Sequence, residues 1–159
     1  MASTSAALLL YRIGEANEIE VLLAHMGGPF WARKDARAWS IPKGEYDSRE
    51  DPRAAARREF EEEIGSPPPA ADMIDLGSFK QPSGKVIVTY AVRGDFDLAG
   101  FHSNTFTIEW PKGSGTLREF PEMDRAEWMT LARAAQMLVK GQVPILRALS
   151  DRLAGQQAE

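Results

Sequence analysis

The fold of this 159-residue chain is decided by residues 44–65, which read GEYDSREDPRAAARREFEEEIG. Asp51 and Pro52 predict the start of a helix, because aspartate accepts hydrogen bonds from free N–H groups and proline suits the first helical position. Gly65 and the prolines at 67–69 predict its end, since glycine adopts the left-handed conformation there and proline cannot continue a helix. The segment is therefore interpreted as a loop followed by one helix.

The predicted helix carries three glutamates on one face. At about 100° per residue, Glu59, Glu62 and Glu63 share an arc of about 100°, whereas Glu61 points elsewhere. An adjacent apolar stripe that can face a core consists of Ala56, Phe60 and Ile64. Like charges at these spacings repel by about 0.2–0.5 kcal/mol per pair, and acids near a helix C-terminus oppose its dipole. A bound divalent cation would remove both penalties; a solvent-exposed acidic face is the alternative.

The composition is that of one globular domain and excludes several classes of protein. Hydrophobic residues make up 43% and charged residues 26%, close to the average of folded domains, which argues against disorder. The absence of cysteine excludes disulfides, thiolate nucleophiles and cysteine-bound zinc. The net charge of −4 disfavours a stable nucleic-acid partner, although an acidic protein can bind polyphosphates through divalent cations.

An apolar run near the N-terminus, residues 6–10, has no basic region before it. The run is too short for a signal peptide or a membrane span. We therefore expect a cytoplasmic protein with no membrane partner.

The rest of the chain alternates strand-like and helix-like segments. Strands are predicted at 6–11, 19–25, 39–41, 73–80, 85–92, 105–110 and 126–129. Helices are predicted at 51–64, 131–139 and 145–153, and a loop at 111–121. Interleaved strands and helices of this kind predict an α/β fold around at least one mixed sheet.

The segment 44–65 resembles the Nudix box, the signature of the Nudix hydrolase family. The pattern is G-x5-E-x7-R-E-Φ-x-E-E-x-G, where Φ is apolar, and it is matched by Gly44, Glu50, Arg58, Glu59, Phe60, Glu62, Glu63 and Gly65. Residues 39–43, which read WSIPK, also resemble family members. The final apolar position of the box is the exception, because Ser66 stands there.

The resemblance implies a fold and a domain organisation. The fold is an α/β/α sandwich with a central mixed sheet. A single Nudix hydrolase domain would extend over residues 1–159, with its core at about 5–140 and a C-terminal helix at about 145–153.

The resemblance also implies a metal site. The implied ligands of Mg²⁺ or Mn²⁺ are the carbonyl oxygen of Gly44 and the carboxylates of Glu59, Glu62 and Glu63. A further acid is expected from a distant loop, shortly before a tryptophan. Glu122, which precedes Trp128, is the first choice and Glu119 the second; an exposed loop acid with no such role is the alternative.

The residue types suit hydrolysis of a phosphoanhydride. Mg²⁺ prefers oxygen ligands, and a bound ion offsets phosphate charge and lowers the pKa of an attacking water. Glu59 or Glu62 is the expected general base, which differs within the family. Glu50 and Arg58 are expected to pair and to brace the loop against the helix, and Gly65 has a structural role in the motif.

Basic side chains before the helix are candidate substrate contacts. Lys43, beside Gly44, is predicted to touch a substrate phosphate. Arg33 is predicted to belong to a phosphate-binding rim with Lys34 and Arg37. For each of them the alternative is an ordinary exposed cation.

Aromatic residues and histidines give weaker indications. Phe30, Trp31 and Trp39 can stack a base, although the position of Trp39 inside a predicted strand favours the core. His25 and His102 have no carboxylate or serine neighbour in the sequence, so both are interpreted as structural.

Together these observations predict a Mg²⁺-dependent hydrolase that cleaves a phosphoanhydride bond in a nucleoside diphosphate linked to another group. An NTP, a dinucleoside polyphosphate and ADP-ribose are the candidate substrates. Pro82 resembles a proline of ADP-ribose-cleaving members, and residues 39–44 resemble bacterial members described as NTP pyrophosphohydrolases. The alternative function is a non-catalytic nucleotide-binding Nudix-like module. The expected partner is a small nucleotide, and a homodimer is left open beside a monomer.

Overall fold

A central strand, β1 at Thr4–Ile13, organises the computed structural model, which describes residues 3–157. The other strands are β2 at Ile19–Met26, β3 at Trp39–Ser40, β4 at Lys43–Glu45, β5 at Ile74–Lys80, β6 at Val86–Arg93, β7 at Thr105–Glu109, β8 at Leu117–Pro121 and β9 at Met123–Thr130. The helices are α1 at Pro52–Ile64, α2 at Leu131–Met137 and α3 at Val143–Gln157. Residues 1, 2, 158 and 159 of the predicted domain lie outside the described range.

β1 is paired along both of its edges, and both strand directions occur. It runs parallel to β6, with Thr4 opposite Val86 and Tyr11 opposite Arg93. Its other edge is antiparallel to β4 near the start of β1 and to β2 near its end. β2 also pairs with β3 and β9, and β6 with β5, all antiparallel. The predicted mixed sheet is therefore confirmed.

Helices cover both faces of this sheet, which explains why β1 has no polar face. Ala6, Leu8 and Leu10 pack in the core with α1. Ala7 and Leu9 pack in the opposite core with α2 and α3. A strand that is covered on both sides reads as a continuous apolar run instead of an alternating one. The structure is the predicted α/β/α sandwich.

α1 begins and ends where its sequence signals predict. The Asp51 side chain accepts a hydrogen bond from the N–H of Arg53 at 3.4 Å, as expected of an N-cap. Gly65 has a φ of 95° and donates its N–H to the carbonyl of Glu61 at 2.8 Å. Gly65 also lies so close to the backbone of His102 that a Cβ atom would overlap it. The end of α1 is therefore packed tightly against the chain around His102.

Two predicted boundaries in the C-terminal half are wrong. The sequence predicts a loop over 111–121, but its last part is β8, which pairs with β7 and places Phe120 opposite Phe106. Four of the five β8 residues are exposed, so the strand lacks the hydrophobic alternation that would reveal it. The strand predicted at 126–129 begins earlier, at Met123, because β9 pairs along nearly the whole of β2.

The last helices also differ in length from their predictions. α2 ends at Met137 because Leu138 adopts an extended conformation, and Val139 then donates its N–H to the carbonyl of Trp39 at 3.0 Å. The chain thus leaves the helix to bond with β3. α3 is longer than predicted at both ends. Between residues 3 and 157, no helix has both the length and the apolar character needed to cross a membrane.

Candidate active site

The acidic face of α1 lies against β4. Gly44, on β4, stands opposite Ala6 of β1. The Glu59 carboxylate occupies the space that any side chain at position 44 would fill. The Glu59 side chain is only 13% exposed. Burial is the main reason that its pKa is raised; Arg58 opposes this shift and the Glu62 carboxylate adds to it. Gly44 is thus required for a carboxylate to lie against the β4 backbone.

Glu63 is the buried acid of the helix, with 6% exposure. The N–H of Lys43 lies 3.4 Å from its Oε1 and donates to it. Burial raises the pKa of Glu63 to about 8, with smaller contributions from the carboxylates of Glu59 and Glu122, while Lys43 acts in the opposite direction. A buried carboxylate is costly unless its charge is compensated. A cation next to Glu63 would relieve that cost.

Glu122 lies in the short connection between β8 and β9, and its charge acts on Glu63. Its backbone is bonded on both sides. The Glu122 N–H donates to the carbonyl of Asn104 at 2.8 Å, and its carbonyl accepts from the N–H of Gly27 at 2.8 Å. Glu119, the second choice from sequence, is exposed like Glu122, but it is not among the charges that act on Glu63. Of the two candidates, Glu122 is therefore the one whose charge acts on a helix acid.

One arginine joins the acidic face to the loop before the helix. Arg58 donates through Nη1 to both carboxylate oxygens of Glu50, at 2.8 and 2.7 Å. Its Nη2 donates to Glu59 at 3.0 Å, and its Nε lies 3.8 Å from Glu62. Because a guanidinium offers several donors in a rigid plane, one side chain serves all three acids. Arg58 therefore braces the loop and offsets part of the negative charge.

The acids have the donor atoms that a divalent cation prefers, although two of them contact Arg58 in the structure. In the part of the chain that the structure describes, no three carboxylate or imidazole side chains are grouped closely enough to hold a metal ion. Glu59 and Glu62 are turned toward Arg58 instead. The donor set is nevertheless all oxygen, which Mg²⁺ and Mn²⁺ prefer. The close approach of the Glu59 carboxylate to the Gly44 backbone and the buried carboxyl group of Glu63 also suit such an ion.

A cavity of about 480 Å³ adjoins Glu63 and is large enough for a nucleoside. Its apolar walls are Met26, Ile87, Met123 and Val139, and its cations are Lys43, Lys85 and Lys140. Gln142, which is 1% exposed, accepts from the N–H of Ile41 at 2.8 Å and donates to Ser40 at 3.0 Å, so this part of the wall is fixed. A larger cavity beside Arg12 is not lined by any of the four acids.

The basic loop before β3 contributes less to this cavity than its sequence suggests. Lys43 lines the cavity, whereas Arg33 is exposed and is not among the lining residues. Arg37 donates to two backbone carbonyls at the C-terminal end of α2, at 2.6 and 3.2 Å. That contact satisfies free carbonyls and places a cation at the negative end of the helix dipole.

The aromatic and histidine side chains have mainly structural surroundings. Trp39 is fully buried in the core. Phe30 is 64% exposed and packs edge-on against Trp110, with ring centroids 5.4 Å apart. His25 is buried and bonds to Asp124 at 2.8 Å and to a loop carbonyl at 2.6 Å. This carboxylate partner is distant in sequence, which is why the sequence does not indicate it.

The segment 102–104 belongs to the site, yet no sequence motif indicates it. Its backbone N–H groups donate to the carbonyls of Glu62 and Ile64, at 3.0 and 2.8 Å, in the last turn of α1. Free carbonyls at a helix end need such partners. Ser103 is buried and accepts a hydrogen bond from the N–H of Met123 at 3.0 Å. The segment therefore connects α1 to the start of β9.

The geometry and the sequence pattern agree with one protein family. The family model of the NUDIX domain matches residues 3–149. The match spans most of the chain and includes the helix acids, Gly44 and the sheet described above. The chain belongs to the NUDIX family.

Individual relatives support the family but share limited similarity. An RNA pyrophosphohydrolase of Rhodospirillum rubrum is 45% identical over 65 residues, which cover 39% of this chain and 37% of that protein. The chain thus matches little more than a third of the length of that curated relative. The Ap4A hydrolase of C. elegans has a TM-score of 0.64 and 22% identity, covering 95% of this chain and 98% of that chain. The NUDIX domain of NrtR from Shewanella oneidensis, solved with ADP ribose, has a TM-score of 0.61 and 16% identity, covering 96% and 89%. These structural likenesses show the fold alone.

Proposed function

We propose that this protein is a divalent-cation-dependent pyrophosphohydrolase that cleaves a phosphoanhydride bond in a nucleoside diphosphate linked to another group. One observation carries the proposal: the Glu59 carboxylate lies against Gly44, and the buried Glu63 on the same helix face lines a cavity that also has three lysines. Membership of the NUDIX family and the partial similarity to an RNA pyrophosphohydrolase support it.

In the proposed site, the metal ligands are the carbonyl oxygen of Gly44 and the carboxylates of Glu59, Glu62, Glu63 and Glu122. A bound Mg²⁺ or Mn²⁺ would offset phosphate charge and lower the pKa of the attacking water. Arg58 would release Glu59 and Glu62 while it keeps its bidentate contact with Glu50. The contact between Arg58 and Glu50 then stays in place when Glu59 and Glu62 turn to the cation.

Glu62 is the better placed of the two candidate general bases. Glu59 is packed against Gly44 and bonded to Arg58, so few directions are open to it. The Glu62 side chain is 44% exposed and lies on the same helix face. A base must reach the proton of a water molecule directly, and an accessible carboxylate can do so. We therefore assign proton removal to Glu62 and a binding role to Glu59.

The cavity beside Glu63 is the proposed nucleoside site. Its apolar walls suit a base, and Lys43, which lines the cavity together with Glu63, would contact a phosphate of the substrate. Lys85 and Lys140 would contact further phosphates or the second moiety. Arg33, outside the cavity, stays a predicted rim contact. An NTP, a dinucleoside polyphosphate and ADP-ribose all meet these requirements, since a fold and a box do not choose a substrate.

The competing function is a nucleotide-binding module without turnover. Nudix-like modules of that kind usually lack some of the box acids, whereas this chain has all of them. The packing of Glu59 on Gly44 favours a working site, because a solvated acidic face would not need that space.

A substrate panel tests the proposal. Purified full-length protein is incubated with NTPs, Ap4A, ADP-ribose and 5′-triphosphorylated RNA, each with Mg²⁺ and with Mn²⁺, and the products are separated by chromatography. We expect turnover of at least one substrate by hydrolysis of a phosphoanhydride (P–O–P) linkage. Binding of a nucleotide with no turnover of any panel member would favour the module instead.

A further inference from the structure

The proposed site takes acids from two distant parts of the sequence, and a buried serine lies between them. Ser103 is 5% exposed. Its Oγ accepts a hydrogen bond from the N–H of Met123 at 3.0 Å and donates to the carbonyl of Asn104 at 2.7 Å. Met123 follows Glu122 directly, so the hydroxyl is bonded to the backbone next to the acid.

The same segment is fastened to the helix that carries the other acids. The N–H of His102 donates to the carbonyl of Ile64 at 2.8 Å, and the N–H of Asn104 donates to the carbonyl of Glu62 at 3.0 Å. The carbonyl of Asn104 in turn accepts from the N–H of Glu122 at 2.8 Å. These bonds link the last turn of α1 to the backbone of Glu122, and the Ser103 hydroxyl is the one side-chain group among them.

We propose that Ser103 is a positioning residue, which through the backbone of Met123 fastens Glu122 to the segment bonded to the last turn of α1, so that Glu122 and the α1 acids would bind the same divalent cation. The inference rests on the proposed function, because it gives Glu122 a ligand role. Removing the hydroxyl would leave the N–H of Met123 without its acceptor in a buried place. The connection between β8 and β9 would then shift, and a misplaced ligand weakens a site even when every acid is present.

Binding of Mn²⁺ alone to the full-length protein, measured by titration with electron paramagnetic resonance, tests the inference without any substrate. We expect Ser103→Ala to raise the dissociation constant for Mn²⁺ by about tenfold, the lower end of what outer-shell changes cost. Glu122→Gln should raise it as well. Ser103→Ala should add little in the Glu122→Gln background, because the hydroxyl acts through Glu122.

A matched control separates positioning from general loss of stability. Thr130 accepts a hydrogen bond from the N–H of Arg133 at 3.3 Å at the start of α2, at the other end of β9. Thr130→Ala also removes a hydroxyl that accepts from a backbone N–H, at a more exposed place, and should keep wild-type affinity for Mn²⁺. If Ser103→Ala does not fold, Ser103→Cys keeps a weak acceptor and should give a smaller rise in the dissociation constant.

Three results would overturn the inference. They are wild-type Mn²⁺ affinity in folded Ser103→Ala, wild-type affinity in Glu122→Gln, and an equal loss from Ser103→Ala with and without Glu122. None of them depends on turnover. Failure of the proposed function would instead appear as an inactive substrate panel, so the two failures are distinguishable.

Discussion

The α1 acids (Glu59, Glu62 and Glu63) and the acid of the β8–β9 connection, Glu122, are held by different kinds of bonds. On α1, negative charge is balanced largely by Arg58, a side chain with 41% exposure. Glu122 is held by its backbone, through hydrogen bonds on both sides of the residue. Exposed ion pairs contribute little to stability and rearrange readily, whereas backbone hydrogen bonds on both sides of a residue fix where its side chain begins.

The difference indicates that the α1 acids and Glu122 have different roles in the site. The side chains of Glu59 and Glu62 can turn from Arg58 to a cation, whereas Glu63 stays buried against the N–H of Lys43. Glu122 brings a carboxylate from a backbone that cannot move far. Substitution of the exposed Glu62 should therefore change the chemistry with little effect on folding, whereas changes around Glu122 should act through geometry.

The largest effect is expected from Glu62→Gln, which tests the α1 side of the comparison. The change is nearly isosteric but removes the charge of the proposed general base, so kcat should fall by roughly two to four orders of magnitude. The fold should be unchanged because Glu62 is exposed. Glu61→Gln, also exposed and on another side of the helix, is the matched control and should be nearly silent. Equal losses in steady-state kinetics would show that the face assignment is wrong.

Glu122→Gln tests the acid of the β8–β9 connection. We expect kcat to fall by roughly one to three orders of magnitude, with a smaller change in KM, because a ligand is lost and the nucleoside cavity is kept. Glu119→Gln, on the neighbouring strand, should be milder. If Glu119→Gln lost most of its kcat and Glu122→Gln had wild-type kinetics, Glu119 would be the metal ligand instead of Glu122.

Gly44→Ala tests whether the α1 acids depend on the space that Gly44 leaves. The added methyl group would overlap the Glu59 carboxylate, so Glu59 must leave its place. We expect a loss of about 1–3 kcal/mol in the free energy of unfolding and a higher Mg²⁺ concentration at half-maximal rate. Gly155→Ala, in α3 with no atom near the new Cβ, should be neutral or slightly stabilising. A normal Mg²⁺ titration in Gly44→Ala would contradict this part of the account.

The smallest effect is expected from Arg58→Gln. Because Arg58 is partly exposed, the free energy of unfolding should fall by only about 0.5–1 kcal/mol, and by less at high salt. Urea melts at low and high ionic strength measure this. Arg147→Gln removes a fully solvated pair with Asp151 and should change nothing. If Arg58→Gln lowered the free energy of unfolding by a large amount that did not depend on salt, Glu59 and Glu62 would not be free to turn away from Arg58.

The parts of the molecule that sequence could predict are those with local signals. Asp51 and Gly65 mark the ends of α1 because capping and left-handed backbone depend on neighbouring residues only. The apolar run at 6–10 reports a strand buried on both faces for the same reason. Glu122 is predicted from its position before Trp128, and this signal comes from the family resemblance.

The remainder depends on contacts between distant residues. Ser103 bonds to the backbone of Met123 across a hairpin, and a single hydroxyl leaves no periodic pattern. Arg33 and Arg37 look alike in the sequence, yet Arg37 binds the end of α2, which sequence cannot place next to it. β8 is hidden because its exposed side chains give no alternation.

We propose that the α1 acids and Glu122 act through one divalent cation. The initial rate of hydrolysis of the best substrate of the panel, measured in excess EDTA and again after Mg²⁺ is restored, tests this proposal. We expect no hydrolysis above background in EDTA, recovery of the wild-type protein with Mg²⁺, and weak recovery of Glu122→Gln. Hydrolysis that continues undiminished in excess EDTA would contradict it.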